Sequence, residues 1–216
     1  MKTRTLCGAV VALAGLAPFT SAGILNQSDL LQGLSSQAVN TGDSIVTVTT
    51  TNGVTKRKTV NGVTGMGISG GSVDGEIDGC ESMSFTFDAP TTVDELTISF
   101  LYNDHEFGDH PAEVAKIIAG DFVGTLTVTS ATTAVWTGGG TVTNLSIATE
   151  QGGGEWQLTG DLFGGEITSF TLLSGNKGSQ AKYADFSFVS LHTVPTPGAA
   201  ALIGLGGVLV TRRRRA

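Results

Sequence analysis

The 216-residue chain predicts an all-β fold, a single antiparallel β-sandwich of jelly-roll type, flanked by an N-terminal signal helix and a short C-terminal hydrophobic helix. Three observations carry this prediction. Short segments alternate apolar with small polar residues, which is the period of a half-buried strand. Turn-forming pairs separate those segments. Helical periodicity is nearly absent.

In chain order, Lys2 and Arg4 precede an apolar stretch, Leu6–Ala17, and then Thr20-Ser21-Ala22. These are the three regions of a secretory signal peptide, so residues 1–22 are expected to leave by a cut after Ala22. An uncleaved anchor is the alternative, but the stretch falls short of the roughly 20 residues of a span. Leu30–Leu34 predicts a short turn of helix. Strands are expected at Ser44–Thr50, Ser82–Phe87, Leu96–Phe100, Thr125–Thr129, Thr141–Ile147 and Phe186–Leu191. Asn52-Gly53, Asn61-Gly62, Ala89-Pro90, Gly138–Gly140 and Gly152–Gly154 mark the turns between them. Ala112–Ala119 reads as a strand in preference to a helix. Gly124–Ser130 and Gly140–Ser146 resemble one another, as neighbouring strands of a meander would. Residues 23–193 form the domain and residues 194–216 a tail.

The apolar positions of this pattern give the expected core: Phe85, Phe87, Leu96, Ile98, Phe100, Leu126, Val128, Trp136, Trp156, Phe170, Leu172, Phe186 and Phe188. The two tryptophans have a second reading, as exposed platforms on which sugars stack. Within residues 23–193 lie six basic and 19 acidic side chains, a net charge of −13. A surface this acidic repels nucleic acid and anionic membranes. Cys7 leaves with the signal peptide, so Cys80 has no partner within the mature chain; a buried thiol is expected, with pairing to another chain as the alternative.

The tail explains itself by charge and length. Val194-Pro195-Thr196-Pro197 is followed by 13 apolar residues, Gly198–Val210, and by Arg212, Arg213, Arg214 and Arg215. As a helix the apolar run reaches about 20 Å, and snorkelling arginines extend it toward a bilayer core of about 30 Å. The arginines stay cytoplasmic, so the domain is expected outside the membrane with its tail transiently inserted. Motif, short span and basic stop together resemble the PEP-CTERM sorting tail, with Thr196 where the usual Val-Pro-Glu-Pro core has glutamate. The resemblance covers the last 23 residues. It implies processing by an exosortase, a membrane peptidase of Gram-negative bacteria that make extracellular polysaccharide. The same type of tail also occurs on some ice-binding proteins.

Several stretches resemble catalytic or binding motifs. Gly67-x-Ser69-x-Gly71 fits a serine-hydrolase elbow and Gly65-x-Gly67-x-x-Gly70 a dinucleotide loop, but each requires a following helix that SVDGEIDG does not offer. His105 and His110 could ligate zinc with Asp104 or Asp109. Asp74-x-Glu76-x-Asp78-Gly79 has the alternating oxygens that begin a calcium loop. Phe85 stands where an EF-hand needs its twelfth-position glutamate, so a looser Ca²⁺ site at Asp74, Glu76 and Asp78 is the candidate, with Glu81, or Asp104, Glu106 and Asp109 of the second acidic loop, as further ligands. Threonine alternation invites an ice-binding face, yet its spacing keeps no fixed repeat and β-propensity accounts for it.

These readings converge on a secreted, non-enzymatic protein of the cell envelope or cell surface. Its expected partners are an exosortase-type peptidase and extracellular polysaccharide, its expected role structural or adhesive. A carbohydrate-binding module, braced by calcium, is the alternative. A secreted hydrolase would require Ser69 to meet a histidine, or two carboxylates to face one cleft at roughly 5–9.5 Å.

Overall fold

The computed structural model describes residues 22–195, except 43, 109 and 177–183. The expected helices at the two ends lie outside these residues. Among the described residues the fold is all-β and every ladder is antiparallel. No helix there is long and apolar enough to cross a membrane. The strands are β1 (Gly23–Asn26), β2 (Ser36–Asn40), β3 (Ile45–Thr51), β4 (Val54–Val60), β5 (Val63–Ser69), β6 (Ser82–Ser99), β7 (Val114–Ala119), β8 (Phe122–Ser130), β9 (Thr133–Trp136), β10 (Thr141–Ser146), β11 (Glu155–Thr159), β12 (Ile167–Ser174) and β13 (Ser187–Pro195).

The central element is β6. It merges two expected strands, Ser82–Phe87 and Leu96–Phe100, and runs straight through Ala89-Pro90, where a turn was expected. Its first half lies between β3 and β12, with Phe85 opposite both Val48 and Phe170. Its second half lies between β11 and β13, with Leu96 opposite Leu158 and Leu191. The sheet follows the order β4-β5-β13-β6-β12-β7-β8-β9, with β1 on β13, and it curls because β6 changes neighbours half-way. Inward residues of β6 are Met83, Phe85, Phe87 and Val93, and then Leu96 and Ile98. The change from odd to even positions coincides with a register shift against β13, where Glu95 faces His192 and Val93 faces Thr193. One extra residue there turns the alternation over, as a bulge must.

The curl encloses one apolar cluster. Phe85 stacks on Phe170 at 4.6 Å and meets Phe188 of β13 at 4.8 Å, which joins the two halves through their inner faces. Twelve of the thirteen expected core residues are buried, and Trp136 is half-buried against the same cluster. Threonine hydroxyls pair across adjacent strands, as Thr125 does with Thr137 and Thr141 with Thr159. Such cross-strand pairs add to the stability of the sheet.

Local differences have local causes. Asn61 and Gly62 both have positive φ, so they form the tight two-residue hairpin between β4 and β5 that their sequence announces. The helical turn expected at Leu30–Leu34 falls at Gln27–Asp29, where Asp29 accepts from the Asn26 amide at 2.8 Å and closes a capping box. The similar strands β8 and β10 are not ladder partners: β8 pairs β7 and β9, while β10 pairs β11. Cys80 is exposed, not buried, in the turn that precedes β6.

Candidate functional site

Four separated segments bring polar groups to one cavity of about 210 Å³. Its lining includes Lys58, Glu76, Tyr102, Phe107, Glu113 and Asp185. Lys58 comes from β4 and Glu76 from the loop after β5. Tyr102 and Glu113 stand at the two ends of the β6–β7 connection. Asp185 lies two residues before β13.

The glycine-rich stretch 65–71 builds one wall. A side chain at Gly67 would collide with the backbone of Gly75 and Glu76, and one at Gly71 with the Asp78 carboxylate. Glycine therefore lets the following loop fold back onto β5, where Ile68 bridges to Glu76 and Ile77 bridges to Phe186. These two bridges aim Glu76 inward. They also place it beside the residue preceding Phe186, which is Asp185. Ser187 Oγ donates to the Gly75 carbonyl at 2.7 Å and fastens the same corner. The motif serves close backbone approach. Ser69 donates to the Val54 carbonyl, while the histidines bond to Asp104 and Asp94, so no serine triad assembles among the described residues.

The electrostatics of the cavity are uneven. Glu76, Glu113 and Asp185 are 3%, 1% and 4% exposed. Lys58 Nζ stands 2.6 Å from Glu76 Oε1 and lies 5.8 Å from the centre of the Phe100 ring. The Tyr102 amide donates to Glu113 Oε2. Asp185 is within hydrogen-bonding reach of both Glu76 and Glu113. Glu113 Oε1, in contrast, has no donor among the described residues. Burial, then the charge of Asp185, pushes the Glu76 carboxyl up to about 8 despite Lys58. The same two causes, in the same order, hold Glu113 well above the usual carboxylate range. Burial and the neighbouring acids also raise the Tyr102 phenol, whose hydroxyl donates to the Gly152 carbonyl at 3.3 Å. One ammonium faces three carboxyl groups, so the cluster retains protons or takes up positive charge from outside.

The residues singled out in the sequence separate into different roles. Asp74 is on the surface, 3.8 Å from Lys56 Nζ. Glu76 turns into the cavity. Asp78 folds back on its own loop, accepting from the Val73 amide at 2.7 Å, and burial raises its carboxyl. Glu81 accepts from the Asp78 amide at 3.2 Å, and burial raises it to about 7. The three expected calcium ligands thus serve three different partners. Val194 and Pro195 belong to β13, opposite Thr92 and Thr91. Thr196, Pro197 and Arg212–Arg215 lie outside the described residues, as does Asp109.

Asp104, His105 and His110 do come together. Their ligand atoms lie within 4.8 Å of one another, with His110 Nδ1 at 2.5 Å from Asp104 Oδ1. The two imidazoles are stacked at 4.6 Å and nearly parallel. An ion shared by both must lie in both ring planes, so binding would require one ring to turn. Both tryptophans are packed: Trp156 is buried with Nε1 on the Leu101 carbonyl, and Trp136 Nε1 donates to Gly139. Phe107, in contrast, is 49% exposed and tilted on Tyr102 at 4.8 Å where it lines the cavity.

Glu113 and Asp185 were not candidates from the sequence. Their signal is an acid at the entry to an apolar strand, Glu113 before VAKII and Asp185 between Ala184 and Phe186. No protein-family model matches the chain, and no curated protein matches it.

Proposed function

We propose that the chain is an exported protein of the bacterial cell envelope, a jelly-roll-like β-sandwich released to the surface through its two apolar ends. In this reading a signal peptidase removes residues 1–22 and an exosortase-type peptidase acts at the Val194–Pro197 motif. The domain then serves a structural or adhesive role in extracellular polysaccharide. One observation carries it: β1 opens at Gly23, and Gly23 pairs with Thr193 of β13, which itself runs to Pro195. A cut after Ala22 leaves the first strand whole. The 18-residue β6, shared by both halves of the curled sheet, supports the sandwich description.

A second reading is favoured by Phe107. An exposed aromatic at the edge of an acidic cavity suits a small polar ligand such as a sugar unit, with the ring as stacking surface and the carboxyls as acceptors. This reading treats the module as a binding domain.

Intact mass spectrometry of the protein from its native host, with envelope and medium fractions separated, tests the main reading. The expected species begins near Gly23 and ends within Val194–Pro197. A membrane-held species that retains Arg212–Arg215 would overturn the sorting reading.

A further inference from the structure

We propose that the Glu113–Asp185 pair is a binding site for a hard divalent cation, with Ca²⁺ as the probe that reads it. The cavity supplies the first argument. Three carboxyl groups and one ammonium enter it. Lys58 is committed to Glu76 at 2.6 Å. That leaves two carboxyls, Glu113 and Asp185, within hydrogen-bonding reach of each other. Two carboxylates match the charge of one divalent ion, and oxygen-only donors select a hard one.

Glu113 supplies the second argument, independent of the count of acids. The side chain is 1% exposed, and Oε2 is satisfied by the Tyr102 amide. Oε1 has no donor among the described residues. A buried carboxyl oxygen without a donor is costly. A proton shared with Asp185 relieves it, and so does a cation. The two compete for the same pair, and cation binding expels the proton.

The site differs from the Asp74, Glu76 and Asp78 loop expected from sequence. Glu76 is held by Lys58, and Asp74 and Asp78 face elsewhere. It differs also from Asp104, His105 and His110, whose imidazoles suit softer metals. An organic ammonium is the competing occupant, because Tyr102 and Phe107 offer ring faces beside the carboxyls. The charge match favours the divalent ion.

The test uses the full-length chain stripped of metal with a chelator. Isothermal titration with Ca²⁺ near pH 7 is run in two buffers of different ionisation enthalpy. The expected result is saturable binding with proton release, and a melting temperature raised by several degrees. Glu113→Gln and Asp185→Asn should each weaken binding at least tenfold, while Asp74→Asn and His110→Ala leave it unchanged. Either of the first two variants suffices should the other fail to fold. The proposal is overturned by absence of Ca²⁺ binding, by binding indifferent to both cavity variants, or by loss in Asp74→Asn. Uptake of glucosamine in place of Ca²⁺ also overturns it and assigns the cavity to an ammonium ligand.

Discussion

In metal-free buffer the fold should lose stability as the pH rises from about 5 to about 8, and Glu113→Gln should lessen that loss. The sign follows from which state holds the proton. The Glu76 carboxyl is raised from 4.5 to about 8 in the folded chain. Below 4.5 both states are protonated and above about 8 neither is. Between these limits the folded chain keeps a proton that the unfolded chain has released, so stability falls as pH rises. The slope is about 1.4 kcal/mol per pH unit for one such group. Across the window this reaches roughly 4–5 kcal/mol, a large fraction of the 5–15 kcal/mol of an ordinary domain. Glu113, raised by the same burial, steepens the slope. Asp104 acts in the opposite sense, because His110 lowers it, but its contribution is lost only as pH falls below the usual carboxylate range. In Glu113→Gln the amide oxygen still accepts from the Tyr102 amide and the amide nitrogen donates to Asp185, while the titrating group is gone. Urea unfolding followed by tryptophan fluorescence, with Trp156 buried in the core, reads both slopes. A slope of zero or a rise over this range would refute the reasoning. So would a variant slope equal to that of the parent.

Gly67→Ala should destabilise the fold by about 1–3 kcal/mol, since its methyl group enters the backbone of Gly75 and Glu76. Its pH slope should shrink as well, because the displaced loop no longer buries Glu76, and urea midpoints at two pH values separate the effects. The exposed Cys80 thiol should react with a thiol reagent in the native state, without denaturant. Reaction only after unfolding would return it to the core.

The fold was legible wherever one residue type determined one local geometry. Asn61-Gly62 marked its hairpin because both positions need positive φ. The alternation of Met83, Phe85 and Phe87 marked an inward face. Ala89-Pro90 misled, because proline is tolerated in a long strand where its ladder partners change. The site was only partly legible. Glu76 was visible in an acidic run, but Asp74 and Asp78 of that run turn to other partners. Its partners Lys58, Glu113 and Asp185 lie 18, 37 and 109 residues away in the chain. A single sequence encodes such convergence through the topology alone. Here that means the bridges Ile68–Glu76 and Ile77–Phe186, which no local periodicity announces.

The same topology gives the cavity its mechanical meaning. Its groups belong to β4, the loop after β5, the β6–β7 connection and the entry to β13. β13 in turn holds β1, the first strand of the fold. A cation on Glu113 and Asp185 would therefore link the entry to β7 with the entry to β13, on opposite sides of the sheet order. At a hundred times its dissociation constant it adds about 2.7 kcal/mol, of the same order as the stability withdrawn when the protons leave. On this proposal protons would hold the corner at low pH and a divalent ion would hold it at higher pH. Residues 23–193 carry a net charge of −13, and the proposed ion would sit on two of the most deeply buried carboxyls among the described residues.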